Sequence, residues 1–251
     1  MGELQFKPVA PAKVHGRYRV RVTLLTDALG TKPCSADIAT RYLQQRMTKA
    51  DRMARDLTEE DRIAAANEKV EQAEKAMTIF YKDDEGRPVI QGFQIMGFLK
   101  EAAITQSNDR TKLASNFYAG SLKTRIEQAY NVPDYWIRIR LPDGYDPYET
   151  VKGADGGDVR RWKVFERPLR SEVRGVQMTS IAKSEVIPAG STLEFDVEIR
   201  SETVPVSSGK QSAKVDAYDL LIELLGEGQR RGLMQFRNAG YGRFRAEIAE
   251  L

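Results

Sequence analysis

Glycine, arginine and aromatic residues are interleaved through Gly232–Glu247, GLMQFRNAGYGRFRAE, near the end of this 251-residue chain. Gly232, Gly240 and Gly242, with Gly228 just upstream, alternate with Arg230, Arg231, Arg237, Arg243 and Arg245, and Phe236, Tyr241 and Phe244 are threaded among them. Glycine lets a backbone approach a ligand closely or adopt positive φ. Arginine presents a planar fork that matches phosphate, and aromatic rings present faces on which bases stack. Together these residue types suit a loop that contacts phosphates and bases. They equally suit a tight hairpin turning at Asn238-Ala239-Gly240 with solvated arginines on one face.

Two further stretches carry the same chemistry. In Arg17–Leu25, Tyr18, Val20, Val22 and Leu24 alternate with Arg17, Arg19, Arg21 and Thr23, which predicts a strand with one buried face and one basic face. Asp134–Leu141 reads the same way: Tyr135, Ile137, Ile139 and Leu141 on one side, Trp136, Arg138 and Arg140 on the other. An aromatic residue between arginines on a solvent-facing strand resembles a stacking platform. A solvated face or a capped core edge would give the same pattern.

Candidates for catalysis are few. The single cysteine, Cys34, would need the single histidine, His15, as its base, and His15 sits in a Pro/Gly-rich arm. Asp27 and Asp37 flank the loop after the first strand, where a metal-assisting or positioning carboxylate would sit. Asp27 also reads as a turn residue and Asp37 as part of a first helical turn. The sequence has no Walker loop, zinc spacing, zincin helix or serine elbow, so neither a metal nor a cofactor is expected.

The positioning elements follow from periodicity. Ser35 is an N-cap candidate for a helical region, and Thr58-Glu59-Glu60-Asp61 starts a charged helix to about Ala76. Asp83-Asp84-Glu85-Gly86 marks a hairpin turn between Met77–Tyr81 and Pro88–Gln91. Phe93, Met96, Leu99 and Ala103 predict a buried helix over Gly92–Ile104, in which Gly97 suggests close packing. Pro142–Asp158 reads as a mobile loop, and Val159–Arg170 and Gly175–Pro188 as β structure. Thr192–Ile199 alternates Leu193, Phe195, Val197 and Ile199 against Glu194, Asp196 and Glu198, a half-buried strand with an acidic exterior. Ser201–Ser212 reads as a flexible connector. Val215–Leu225 predicts a helix with Tyr218, Leu221, Ile222 and Leu225 inward. The order of elements is that of an α+β protein.

With 41% hydrophobic and 30% charged residues the chain belongs among soluble globular proteins. A net charge of +3 does not by itself imply a polyanionic partner, so the placement of arginine has to carry that reading. One cysteine excludes an intrachain disulfide and agrees with a reducing compartment. There is no membrane-length apolar run, and MGELQFKPVAPAK lacks the apolar core of a signal peptide, so a cytoplasmic protein is expected.

Three segments, in this order, resemble the RAMP superfamily of CRISPR-associated proteins, whose ferredoxin-like (RRM-like) modules form crRNA-binding backbone subunits and related nucleases. Arg17–Gly30, RYRVRVTLLTDALG, is similar to that family's first strand running into a loop. Gly86–Ala103, GRPVIQGFQIMGFLKEAA, looks like its strand leading through a glycine into a helix, with Lys100 at the basic position. Ser184–Ile199, SEVIPAGSTLEFDVEI, with Gly232–Ile248, is similar to the late hairpin and glycine-rich loop. The chain departs from the pattern at Gln91, Phe93 and Gln94, where small or hydroxylated residues are usual, and in having fewer loop glycines. The closing segment also resembles one found in uncharacterised phage and prophage proteins.

The resemblance implies a single domain over residues 1–251. It would be an α+β, ferredoxin-like antiparallel sheet with helices on one face, with a helical insertion at about 35–76 and a loop insertion at about 142–158. It implies binding of single-stranded nucleic acid, RNA ahead of DNA. Phosphates would meet Arg19, Arg21, Lys100, Arg138, Arg140, Arg237, Arg243 and Arg245, and bases would meet Trp136, Phe236 and Tyr241. Backbone subunits of this kind stack side by side, which implies a homo-oligomer or larger assembly, with Thr58–Ala76 and Pro142–Asp158 as candidate neighbour contacts. Two alternatives belong to other classes: a phage-borne interaction or anti-defence protein that does not touch nucleic acid, and an endoribonuclease using Asp27 or Asp37. The leading reading requires the terminal arginines and rings to converge with the two basic strands into one groove.

Overall fold

The computed structural model describes residues 14–34, 77–108, 119–152, 157–173, 176–208 and 211–251. The Pro-containing arm before residue 14, the helices expected at 35–76 and Asp37 lie outside the described residues.

In chain order, β1 (Gly16–Leu24) is followed by the short strands β2 (Ala28–Leu29), β3 (Lys32–Pro33), β4 (Met77–Ile79), β5 (Tyr81–Lys82) and β6 (Pro88–Gln91). Helices α1 (Gly92–Asn108) and α2 (Ala119–Ala129) lead to β7 (Tyr130–Asn131) and β8 (Trp136–Arg140). Strands β9 (Tyr148–Lys152), β10 (Asp158–Trp162), β11 (Val164–Val173) and β12 (Val176–Ile187) intervene before β13 (Thr192–Ile199). The hairpin of β14 (Thr203–Ser208) and β15 (Gln211–Asp216), helix α3 (Ala217–Gly226), the single turn α4 (Gly228–Arg231) and β16 (Phe244–Glu250) complete the chain.

The main sheet runs β16-β1-β13-β8-β6-β5. Every pairing along it is antiparallel. The helices α1 and α2 fall between β1 and β8, and α3 falls between β13 and β16. The strands β16, β1, β13 and β8 therefore carry the β-α-β-β-α-β path of a ferredoxin-like fold, with fourth strand, first, third and second side by side. A second sheet runs β11-β12-β4-β3.

Alternation decides which face is buried. Val20, Val22 and Leu24 of β1, Ile137 and Ile139 of β8 and Leu193, Phe195, Val197 and Ile199 of β13 are all buried. They form one core with Ile95, Phe98, Leu99 and Ala102 of α1, Ile126 of α2 and Leu220, Leu221 and Leu224 of α3. Phe98 meets Phe244 of β16 edge-on at 5.0 Å between ring centroids. The Asp216 carboxylate caps α3 by accepting from the N–H groups of Tyr218 and Asp219 at 2.8 and 3.0 Å. With the helices on one face, the opposite face of the sheet stays open.

Several expectations need correction. Phe93 is 63% exposed, because the inward stripe of α1 is Ile95, Phe98, Leu99 and Ala102. In α3, Ile222 is exposed and Leu220 and Leu224 are buried in its place. Ser201–Ser212 is not a connector, since β14 pairs with β15 from Thr203↔Asp216 to Ser208↔Gln211. Within Pro142–Asp158, expected as a loop, Tyr148–Lys152 forms β9 and pairs with β10. Those strands are short and mostly polar, and each reaches the core through few residues, Val204, Val215 and Trp162 among them, so no alternating apolar face marks them.

Glycine roles divide in the same way. A Cβ on Gly92 would lie 2.2 Å from the Asp134 carbonyl oxygen, whereas one on Gly97 would meet nothing within 4 Å, so Gly97 is not a close-packing glycine. Gly97→Ala is expected to raise stability by about 0.5–1 kcal/mol through helix propensity. Gly92→Ala should lower it by about 1–3 kcal/mol, because backbone has to move. Urea denaturation midpoints of the two variants should shift in opposite directions.

Candidate nucleic-acid interface

The antiparallel register of β1 and β13 sets Arg17 opposite Glu198, Arg19 opposite Asp196 and Arg21 opposite Glu194. Directly opposed residues share a face, so each guanidinium has a carboxylate beside it on the open side of the sheet. Arg17 Nη2 lies 2.7 Å from Glu198 Oε1, and Arg21 Nε lies 2.7 Å from Glu194 Oε1. Arg19 holds Asp196 bidentately at 2.8 and 3.2 Å. The hydrogen bond from Arg21 above all holds the Glu194 carboxyl below its ordinary pKa. Hydrogen bonds from Asn131 and then Arg17 do the same for Glu198. The strand that reads as basic is one half of a neutral ladder.

On β8, Trp136, Arg138 and Arg140 face the open side as expected. Trp136 is 47% exposed, and its ring centroid lies 4.9 Å from that of Tyr135 and 5.5 Å from that of Tyr81. Arg138 Nε is 3.6 Å from Asp83. A groove of about 310 Å³ beside this aromatic group is lined by Asp83, Asp84, Glu85, Arg87, Trp136 and Arg138, together with Val89. Arg87 bonds Asp83 at 2.8 Å and also contacts Glu85. At this end of β8 Asp83 already answers Arg87 and lies near Arg138, and the cation beside the rings is Lys32, whose Nζ lies 5.4 Å over the Tyr81 ring.

The other end differs. Thr192 opposes Arg140 on one side and Thr23 on the other, and Thr23 opposes Arg245. The row Arg140–Thr192–Thr23–Arg245 crosses three strand spacings, about 14 Å. Neither guanidinium has a carboxylate at ion-pair distance among the described residues. Arg243 and Arg245 flank buried Phe244 and are both exposed. Arg243 likewise has no carboxylate partner among the described residues. Its backbone N–H donates to Thr26 Oγ1 at 2.9 Å, and that hydroxyl donates to the Gly240 carbonyl at 2.8 Å.

The remaining loop residues point elsewhere. Arg237 is bonded bidentately to Glu101 of α1, at 2.5 and 3.2 Å, which places it on the helix side of the sheet. Tyr241 packs on Phe165 of β11 at 5.2 Å and on Phe236 at 5.7 Å. The guanidinium of Arg167, also on β11, lies 3.3 Å over the Phe236 ring. Phe165 and Arg167 have no sequence signal beyond alternation in a stretch interrupted by Pro168. Lys100 bridges α1 to Glu127 of α2 at 2.5 Å and lies away from both groups. The expected residues therefore form two groups, one on the open sheet face and one against β11 and α1, and not one continuous groove.

Of the two candidate carboxylates, Asp27 is among the described residues and occupies a structural position. Asp27 Oδ1 accepts from the Ala189 N–H at 2.9 Å, and its carbonyl accepts from the Gly242 N–H at 2.7 Å. The His15 N–H donates to the Ile199 carbonyl at the start of β1. Cys34 is exposed. No group of three or more metal-ligating side chains occurs among the described residues.

No family model matches the chain, and no curated protein matches it. Among solved structures it is similar to a chain in the cryo-EM structure of the Type III-B Cmr-beta bound to cognate target RNA. The match has 11% identity and a TM-score of 0.47, covering 94% of this chain and 60% of that one. A likeness of this order assigns neither family nor activity, and the chain spans well under two thirds of that neighbour. Among the described residues no helix is long and apolar enough to cross a membrane.

The ladder has a pH signature. Glu194 and Glu198 titrate lower in the folded chain than in the unfolded one, so their contribution is complete above the ordinary value of 4.5. It is lost as pH falls through the depressed folded values. Urea midpoints compared at neutral pH and well below 4.5 should fall more steeply for the natural chain than for Glu194→Gln/Glu198→Gln. Equal slopes would show that the rungs contribute nothing.

Proposed function

We propose that this chain binds single-stranded nucleic acid, RNA ahead of DNA. The site is the end of the open sheet face where the row Arg140–Thr192–Thr23–Arg245 meets Arg243 and the glycine loop. The observation that carries this reading is the sorting of arginines. Those in the middle of the sheet are matched by carboxylates, and the three at this end have none at ion-pair distance among the described residues. Unpaired guanidiniums on an exposed, two-threonine row supply forks and hydroxyl donors for phosphate oxygens without displacing an internal partner. Trp136 lies on the same face about 14 Å further along β8, four residues from Arg140, and offers the stacking surface. Arg19, Arg21 and Arg138 take part only in so far as a phosphate competes with their carboxylates. Side-by-side assembly of several copies on one strand belongs to the same reading, and sizing with and without a long strand tests it.

Filter binding of labelled single strands of about 20 nucleotides, at about 50 and 200 mM salt, tests the site itself. Arg140→Ala/Arg243→Ala/Arg245→Ala should weaken binding and reduce the salt slope by about 2, at about 0.7 per lost phosphate contact. Trp136→Ala should weaken it by about 1–3 kcal/mol. Arg19→Ala/Arg21→Ala should change the slope less than the triple variant does. Retention that ignores salt, or a triple variant that binds like the natural chain, would reject the reading.

A further inference from the structure

The second group of loop residues surrounds a cation with no counterpart. Phe165 opposes Ser184 and Arg167 opposes Ala182 across β11 and β12, and Ser184 opposes Thr78 on β4. Phe165 and Arg167 are two residues apart on one strand and so share a face, which the C-terminal loop covers. The Phe236 ring lies on the Arg167 guanidinium, Tyr241 bridges Phe236 to Phe165, and Gln235 accepts from the Thr78 hydroxyl at 3.3 Å. Beneath this cover Arg167 Nε and Nη1 are buried, and neither has a hydrogen-bond partner among the described residues. Tyr241 is the only titratable group that acts on it among the described residues, and desolvation pushes its pKa down.

A buried guanidinium without an acceptor is costly to fold, and a cation–π contact offsets only part of that cost. The cover itself is in a state that favours opening. Phe236 holds φ of 57° and Met234 φ of 68°, left-handed values that glycine adopts readily and these side chains do not. Phe236 nonetheless remains 38% exposed. Relaxing its backbone would lift the ring away from Arg167 and uncover the two unanswered N–H donors. Beside them stand the phenol of Tyr241 and the Thr78–Ser184 hydroxyl pair, whose oxygens are 2.8 Å apart.

We infer that Arg167 is the base of a phosphate-binding pocket, gated by Phe236, on β11 and apart from the Arg140–Thr192–Thr23–Arg245 row. The ligand chemistry is a phosphate oxyanion accepting from the arginine fork, whether free or carried by a nucleic-acid strand. The second of these sources rests on the function proposed above.

Two readouts on the full chain test this. Phosphate added at constant ionic strength against chloride should raise the thermal midpoint by about 3–5 °C once it is about tenfold above Kd. It should also move the Arg167 Nε–Hε resonance in a ¹⁵N spectrum. Arg167→Met replaces an unpaired buried cation with an apolar chain of similar length, so it should fold at least as well. It should also lose the phosphate-specific rise. A midpoint that rises equally in chloride or in Arg167→Met, or an unmoved resonance, overturns the pocket. A labelled single-stranded RNA then separates the sources. Binding weakened about tenfold by Arg167→Met assigns the pocket to the strand. RNA binding untouched by Arg167→Met, with the phosphate effect intact, assigns it to free phosphate. Absence of RNA binding by the natural chain, with the phosphate effect intact, removes the function proposed above and leaves the pocket.

Discussion

The pairing of β1 with β13 is the constraint on which the rest of the molecule depends. These two strands are the centre of the main sheet, and their register satisfies two independent demands together. It places Val20, Val22, Phe195 and Val197 in the core, and it sets three arginines opposite three carboxylates on the open face. A slip by one residue would turn the apolar set outward and drive the arginines into the core. A slip by two would keep the faces and leave a charged residue without its partner at each end. Packing fixes the parity of the register and the ladder fixes its value. Agreement between levels of this kind is what gives a sequence a single favoured structure.

The C-terminal loop depends on that sheet. Its glycines are explained by the chain crossing itself rather than by a ligand: a Cβ on Gly242 would lie 2.0 Å from the Leu233 carbonyl oxygen, and Gly242 holds φ of 68°. Thr26 and Asp27, immediately after β1, pin the far side of the crossing through the Thr26 hydroxyl and the Asp27 carbonyl. Arg237 ties the loop to α1 and Tyr241 ties it to β11. One segment thus joins the main sheet, the helix layer and the second sheet. It is also the segment in which two non-glycine residues hold left-handed backbone. A tightly pinned loop can hold such local strain where a freely moving one would relax it.

The architecture was legible wherever one residue type alternated with another. β1, β8 and β13 announce their faces by period, and α1 and α3 announce themselves by apolar spacing, so the α+β class follows from the pattern, whereas the ferredoxin-like order came from the family resemblance. What was hidden was partnership. Arg17, Arg19 and Arg21 bond to residues 181, 177 and 173 positions away, and no local pattern reports that. The acidic face of β13 was read as solvent exposure when it was the complement of β1. The mostly polar strands β14 and β15 were hidden because each pairs with the other and meets the core through only Val204 and Val215. Arg167 gave no sign of itself, because only the folded loop shows that no acceptor reaches its inner nitrogens.

Arginine count therefore says less about a polyanion partner than arginine bookkeeping by pair does. A phosphate approaching Arg19 must displace a bidentate carboxylate and then remain beside the carboxylate it has released, so attraction and repulsion nearly cancel. One approaching Arg140 or Arg245 meets no carboxylate at ion-pair distance among the described residues, and Glu194, whose carboxyl Arg140 helps to hold below its ordinary pKa, is bonded to Arg21. With a net charge of only +3, long-range attraction to a nucleic acid is weak, and local unpaired charge has to provide it. The same criterion ranks Arg237 and Lys100 low, because Glu101 and Glu127 already answer them. By this test the middle of the sheet is scaffold, and the cations left without a carboxylate among the described residues gather where the pairing runs out.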